Sequence, residues 1–254
     1  MTKFIGIIPA RYGSSRFPGK PLADLCGKPV IEHVYRRAAA CLDNVAVATD
    51  DQRIYDVVTA FGGRAVMTSP DHPSGTDRVL EAYQRLGSDA DVIINIQGDE
   101  PFIAADQIEQ LKASFDSADV DIATLARRFD PALGFEALFD KNIVKVVMDS
   151  NSNALYFSRS IIPYVRGAEW QHWLDTTIFH THVGIYAYRA DVLAAVTRLE
   201  RSSLEIAESL EQLRWLQNGY KIRVGITDAP TIGIDTPEDL ERARLEAAKY
   251  INQA

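Results

Sequence analysis

Three cations stand close together early in the chain, in Arg11-Tyr12-Gly13-Ser14-Ser15-Arg16-Phe17-Pro18-Gly19-Lys20. Arg11, Arg16 and Lys20 can meet several negative charges at once, and guanidinium forks match phosphate oxygens well. Gly13, Ser14, Ser15 and Gly19 allow the backbone to approach a ligand closely. These residue types suggest a polyphosphate cradle. The plain alternative is a surface turn with solvated cations. The spacing fits neither G-x-G-x-x-G nor G-x-x-x-x-G-K-[ST], which disfavours both standard nucleotide loops.

Two acidic positions could complement such a loop. In Gln97-Gly98-Asp99-Glu100-Pro101, a carboxylate follows a glycine at the end of an apolar run. Beside a polyphosphate it would suit Mg²⁺, a hard ion that takes oxygen from one or two carboxylates plus phosphates. Capping of the next helix by Asp99 and Glu100 is the alternative. Asp235 precedes Thr236-Pro237-Glu238-Asp239, a helix start that is complete without it, and is a candidate second carboxylate. Spacing alone does not place it near Asp99.

Further polar groups are ambiguous in the same way. In Asp71-His72-Pro73-Ser74-Gly75-Thr76-Asp77-Arg78, hydroxyls and helix-start N–H groups could bind a ligand, or Thr76 could simply cap the helix. His180 and His182 alternate on an expected strand and could share one face. No third metal ligand is evident, so a hydrogen bond to a polar substrate or plain exposure explains them better than zinc. Glu208 and Glu211 lie three apart in an expected helix, on one face that is either solvated or suited to sugar hydroxyls. No Ser-His-Asp or Cys-His pairing suggests a covalent intermediate.

The elements that must position these residues alternate. Ile5–Ile8 reads as a strand closed by Pro9. A helix through Val30, Ile31, Val34 and Ala38-Ala39 follows Pro29. A strand Val45–Thr49 ends in Asp50-Asp51, which would cap a helix through Ile54, Val57, Val58 and Phe61 that Gly62-Gly63 stops. Ala65–Met67 is a third strand, Thr76–Leu86 a helix, and Val92–Ile96 a central strand buried on both faces. This rhythm predicts βαβ units and a Rossmann-like, mostly parallel sheet flanked by helices, with ligands at the carboxyl ends of its strands. After Asp121–Ala126 the rhythm changes. Val144–Met148, Ala154–Phe157 and Val183–Tyr188 read as strands without intervening helices, and Asp149–Asn153 as a hairpin turn. Ile161–Thr181 reads as a long excursion. Ser202–Glu205 offers a capping box for a helix with Ile206, Leu210 and Leu213 as its apolar stripe. Ile222–Ile226 is a late strand, and a final helix runs through Leu240, Ala243, Ala247 and Tyr250. We expect one continuous domain over residues 1–254, with a smaller mixed-strand lobe at about 127–200.

Composition sets the outer bounds. The 254 residues carry 27 Lys and Arg against 35 Asp and Glu, a net charge of −8, which argues against a general nucleic-acid or membrane-surface binder. An acidic chain that binds an anion must concentrate cations locally, as residues 11–20 do. Cys26 and Cys41 form no C-x-x-C pair or zinc spacing and read as reduced, cytosolic thiols. No stretch approaches the roughly 18 apolar residues of a membrane span. The expectation is a cytoplasmic protein.

Ile8–Leu22 resembles the nucleotide loop of the 3-deoxy-manno-octulosonate (Kdo) cytidylyltransferases. So do Ala48-Thr49-Asp50, His72-x-Ser74–Arg78, Gln97–Pro101, Phe157-Ser158-Arg159, His182–Tyr186, Glu211–Arg214 and Asp235–Leu240, in family order and nearly end to end. The resemblance implies a nucleotide-diphospho-sugar transferase-like fold, Mg²⁺-assisted transfer of CMP from CTP to Kdo, a cytoplasmic homodimer, and a place in lipopolysaccharide biosynthesis. It assigns Ala10, Arg11, Arg16, Lys20, Ser74, Gly75 and Thr76 to the nucleotide, and Asp99 and Asp235 to Mg²⁺. Lys20, Asp99 and Asp235 would be catalytic. Arg78, Gln97, His182, Tyr186, Glu208 and Glu211 would hold the sugar acid. Thr181 stands where the family usually has a basic residue, and Arg166–His180 follows no family pattern. Both departures lie on the sugar side, so 8-amino-Kdo or a sialic acid remains an alternative acceptor. A nucleotide-binding module without turnover is the alternative from another class.

Overall fold

In the computed structural model, which describes residues 2–14, 16–230 and 232–251, the chain divides into two compact units. Ser15, and the side chain of Tyr250 in the last helix, lie outside what is described. The first unit comprises residues 1–109, 187–197 and 230–254, and the second 110–186 and 198–229.

The first unit is built on four parallel strands in the order Val92–Asn95, Phe4–Ala10, Val45–Thr49, Ala65–Met67. Parallel strands need crossovers, and the helices Val30–Ala39, Gln52–Ala60 and Gly75–Arg85 supply them. Ile5, Ile7, Ile8 and every residue of Val45–Ala48 and Val92–Ile94 are buried, as expected for strands covered on both faces. Asp51 caps its helix, accepting from the Arg53 N–H. The register sets Ala10 opposite Thr49, so these strands finish level and their loops emerge together. On the other side Ile7 pairs with Asn95, and the Ile96 N–H donates to the Ile7 carbonyl. Gln97 and Gly98 then run past the end of the first strand. A Cβ on Gly98 would stand 2.8 Å from the Pro9 carbonyl oxygen, so only glycine lets these two loops meet.

The second unit pairs Ile122–Arg128 with Ile222–Ile226 in parallel and Lys145–Met148 with Ala154–Ser158 in an antiparallel hairpin. Asp149 closes the hairpin by accepting from the Asn151 and Asn153 N–H groups. The strand His180–Arg189 joins antiparallel through Thr181 opposite Lys145. The α/β class and the mostly parallel sheet are therefore as expected. The excursion 161–181 contains short turns of helix at Trp170–His172 and Trp173–Thr176, and its last two residues already belong to a strand.

One helix reads differently. The capping box at Ser202 and Glu205 forms, but the helix Ser203–Glu208 ends at Ser209, which adopts a left-handed conformation (φ 51°), and a separate helix covers Gln212–Gln217. Ile206 is 59% exposed, so the continuous stripe through Ile206, Leu210 and Leu213 does not exist.

The contact at Gly98 generates a test. Gly98→Ala forces a backbone-on-Cβ clash in a packed loop and should lower stability by about 1–3 kcal/mol, read as an earlier denaturant midpoint. An unchanged midpoint would show that the two loops separate freely.

Candidate active site

The loop after the first strand has a fixed shape. Gly19 is left-handed (φ 74°), and its N–H donates to the Tyr12 carbonyl at 2.9 Å, closing the loop on itself. The Tyr12 ring packs against Gly19, where a Cβ would come within 3.1 Å of it. The Arg53 guanidinium also lies 3.3 Å from the ring centroid, held in turn by Asp51. Phe17 anchors the loop on a buried cluster of Leu25, Val30, Phe102, Ile234, Leu240, Ala243 and Ala247.

That cluster brings the acids together. Phe102 follows Asp99 by three residues, and Ile234 immediately precedes Asp235. The Ile234 N–H also donates to the Asp99 carbonyl at 2.9 Å. Lys20 lies between the two side chains: its Nζ donates to Asp99 Oδ2 at 2.6 Å and to Asp235 Oδ1 at 3.2 Å. Arg16 reaches the same Asp235 oxygen at 3.1 Å. Asp235 therefore has the polar partners that its position beside the helix cap left unexplained. Thr236 and Asp239 cap that helix without it, the Asp239 carboxylate accepting from the Asp235 and Thr236 N–H groups. Next to Asp99, burial pushes the Glu100 carboxyl up to about 7, and the neighbouring charge adds to the effect.

Arg16, Lys20, Asp99 and Asp235 line a cleft of about 310 Å³ in the first unit, together with Ala10, Arg11, Ser14, Ser74, Gly75, Arg78 and Gln97. Thr76 does not line it. The cap of helix Gly75–Arg85 is Ser74, whose hydroxyl accepts from the Asp77 N–H, and Thr76 is buried in the first turn. Arg78 is already committed, donating to Thr68 Oγ1 at 2.6 Å and to Asp50 Oδ2 at 2.7 Å. His72 also lines the cleft and is held from behind by Glu81, which accepts from His72 Nε2, from the Ser69 N–H and from Arg85. Burial pulls the Glu81 carboxyl up, but the bonds from His72, Ser69 and Arg85 outweigh it and hold the group below its ordinary 4.5.

The remaining expected residues belong to the second unit, each with a partner. Glu208 accepts from Ser158 Oγ at 2.7 Å and from the Arg159 N–H at 2.9 Å, while Arg159 Nε donates back to the Glu208 carbonyl. Glu211 receives Arg214 Nη2 at 2.7 Å. The left-handed Ser209 separates the two acids, so they do not share a helix face as expected. His182 Nε2 lies 3.0 Å from Thr124 Oγ1, and burial pushes the imidazole down to about 3. Tyr186 stacks edge-on against Trp215 at 5.2 Å, and its phenol is raised well above its ordinary value by burial, with the Glu211 charge adding.

Ser158, Arg159, Thr124, Arg214, Asp50 and Glu81 were not singled out for these tasks by sequence reasoning. Ser158, Arg159, Arg214 and Asp50 fall within recognised motifs. For Thr124 the available signal was a hydroxyl inside the otherwise apolar run Ile122–Ala126.

A cation-bearing cleft with paired carboxylates, at the carboxyl ends of a parallel sheet, defines a nucleotide-handling α/β protein. Comparison with known proteins places it more narrowly: residues 5–222 match the cytidylyltransferase family, and the chain belongs to it. It is 60% identical to a 3-deoxy-manno-octulosonate cytidylyltransferase of Parabacteroides distasonis over 244 residues, covering 96% of this chain and 97% of the relative. A relative of the same description from Bacteroides thetaiotaomicron is 58% identical over 241 residues, covering 95% and 96%. A solved structure of CMP:2-keto-3-deoxy-manno-octonic acid synthetase complexed with CTP is 46% identical. It superposes with a TM-score of 0.89 over 98% of this chain and 99% of that one.

The Glu81 cluster predicts a pH signature. Because the folded-state pKa is depressed, its stabilisation is complete above the unfolded value near 4.5 and is lost as pH falls through the folded value. Glu81→Gln should therefore be less stable than the parent at pH 7, with the gap closing below pH ~4. Denaturation at both pH values checks this, and an equal gap at both would remove Glu81 as the ionised anchor of His72.

Proposed function

We propose that the chain transfers CMP from CTP to Kdo, releasing pyrophosphate and forming CMP-Kdo for lipopolysaccharide synthesis. The observation that carries this reading is Lys20, set between Asp99 and Asp235 on the floor of a cationic cleft in a member of the cytidylyltransferase family. The anomeric hydroxyl of the sugar acid attacks the α-phosphorus in line, the bond from that phosphorus to the β-phosphate oxygen breaks, and pyrophosphate leaves. The chain contributes positioning and charge neutralisation, as in phosphoryl transfer generally. Arg11, Arg16 and Lys20 offset the charge that builds on the leaving group. Ala10, Ser74 and Gly75 present backbone to the nucleotide, the Ser74 hydroxyl being engaged by Asp77. Thr76 supports them from within the helix.

The donor set fits magnesium. Asp99 and Asp235 offer carboxylate oxygens that already converge on one cationic group, and among the described residues no cluster of three or more His, Cys, Asp or Glu forms a complete cage. Two carboxylates leave the rest of an octahedral shell to phosphate oxygens and water, as is usual for Mg²⁺. When bound, the ion supplies charge neutralisation at the α-phosphate and acidifies the attacking hydroxyl.

We assign Arg78, Gln97, His182, Tyr186, Glu208 and Glu211 to the sugar acid. The fixed orientation of His182, Glu208 and Glu211 in the second unit supports this, and we read about residues 127–200 as the smaller, sugar-binding and dimer-forming lobe of a single nucleotidyltransferase. Phe139 and Tyr164 of that unit are 61% and 76% exposed, an apolar surface consistent with a homodimer. Cys26 and Cys41 are thiols, consistent with a cytoplasmic protein.

The four nucleoside triphosphates, each offered with Kdo, 8-amino-Kdo and a sialic acid, should release pyrophosphate at a high rate only for CTP with Kdo. Release that does not depend on the sugar acid would sink the transferase, and preference for another acid would redirect it. Separately, Asp99→Asn and Asp235→Asn should each lower turnover by roughly 10²–10³ and weaken the response to added Mg²⁺. Full activity in either variant removes that residue from the metal.

A further inference from the structure

Thr124 lies in the interior of the strand Ile122–Arg128 and is fully buried. Its Oγ1 has four polar neighbours: the Ile185 carbonyl at 2.8 Å, the Val183 carbonyl at 3.2 Å, His182 Nε2 at 3.0 Å, and the phenol of Tyr186, a hydroxyl that can donate to the second lone pair. A hydroxyl has one proton and two lone pairs, whereas a carbonyl oxygen can only accept. At 2.8 Å from Ile185 the separation is an ordinary O–H···O length, so the proton is committed to the carbonyls. Were it turned toward His182, two carbonyl oxygens would face a third oxygen with no hydrogen between them, in a buried site. Thr124 is therefore an acceptor toward the imidazole, and Nε2 carries the hydrogen.

The rest of the ring follows from that assignment. Burial keeps the imidazole neutral, so with hydrogen on Nε2 the other nitrogen presents a lone pair. The His182 backbone is pinned by its N–H to the Val144 carbonyl at 2.8 Å, and the ring packs against Phe157 and Tyr186 at centroid distances of 5.0 and 5.3 Å. His182 nevertheless keeps part of its surface exposed, and among the described residues Nδ1 has no hydrogen-bonded partner.

We propose that Thr124 is a positioning residue that fixes His182 as the Nε2–H tautomer, making Nδ1 the acceptor for a hydroxyl of the sugar acid rather than a cation for its carboxylate. The inference rests on the reading that His182 contacts the sugar acid. It adds a direction to that contact: the ring selects a substrate that donates a hydroxyl hydrogen at that point and disfavours one that presents only an acceptor.

The full chain labelled with ¹⁵N-histidine, observed by long-range nitrogen–proton correlation, should show His182 protonated on Nε2 alone. Thr124→Val, nearly isosteric but without the hydroxyl, should lose that signature, and Thr124→Ser should restore it. Thr124→Val should raise KM for the sugar acid about tenfold, the size of one hydrogen bond, while kcat and KM for CTP change less than about twofold. A parent enzyme with His182 protonated on Nδ1, or on both nitrogens, overturns the proposal without any variant. If His182→Ala raises the sugar KM but Thr124→Val does not, the positioning role is wrong and the contact stands. If neither variant moves it, the assignment of His182 to the sugar acid is what fails.

Discussion

The first unit is organised around one electrostatic demand: Asp99 and Asp235 must stay close together, although like charges repel. Lys20 answers it by donating to both, with its side chain 13% exposed and so weakly screened. The residues that keep Lys20 there are apolar. Phe17, Phe102 and Ile234 each sit within three residues of a site side chain and share one buried cluster. The cluster therefore fixes the chain on either side of the charges and is as much a part of the site as they are.

The second unit solves a different problem, that of orienting groups that are neutral or singly paired. Glu208 is clamped by the Ser158 hydroxyl and a backbone N–H, Glu211 by Arg214, and His182 by Thr124. Lys145 is fully buried and spends its ammonium on the Asp140, Ile143 and Arg159 carbonyls, tying the chain before the hairpin to the residue that grips Glu208. A buried ammonium with three carbonyl acceptors is locally satisfied, so it rigidifies this part without offering a free charge.

The strand–helix alternation of the first unit was legible in the sequence because its determinants are local: apolar runs of strand length, Asp51 at a helix start, Pro29 and Gly62-Gly63 as punctuation. The cations at 11–20 and the acids at 99 and 235 were legible as residue types. Their convergence was not, since it depends on a cluster whose members come from residues 17 to 247 and on one backbone hydrogen bond between Ile234 and Asp99. The error at Glu208 and Glu211 has a local cause. Ser209 adopts a left-handed backbone, which serine rarely does and which no pattern of apolar spacing reveals, and a single such residue turned one expected helix into two. Thr76 failed as a cap for a similar reason: Ser74 and Thr76 are equally good capping residues, and the loop before them decides which is used.

The two sets of groups suit the two kinds of ligand assigned to them. Polyphosphate carries much charge and few directional features, and on the proposed assignment the cleft would meet it with cations that include the partly exposed Arg16, whose side chain is 64% exposed. Such groups can follow a phosphate chain as its charge shifts toward the leaving group. A sugar acid carries one charge and several hydroxyls, whose recognition depends on the direction of each hydrogen. That calls for acceptors with no freedom to turn, and Glu208 and His182 are each fixed by a second residue that is itself anchored in a strand. If these residues hold the sugar acid as proposed, directional selectivity would reside in the residues behind the contacts, and a substitution there would change which sugar acid is accepted without touching it.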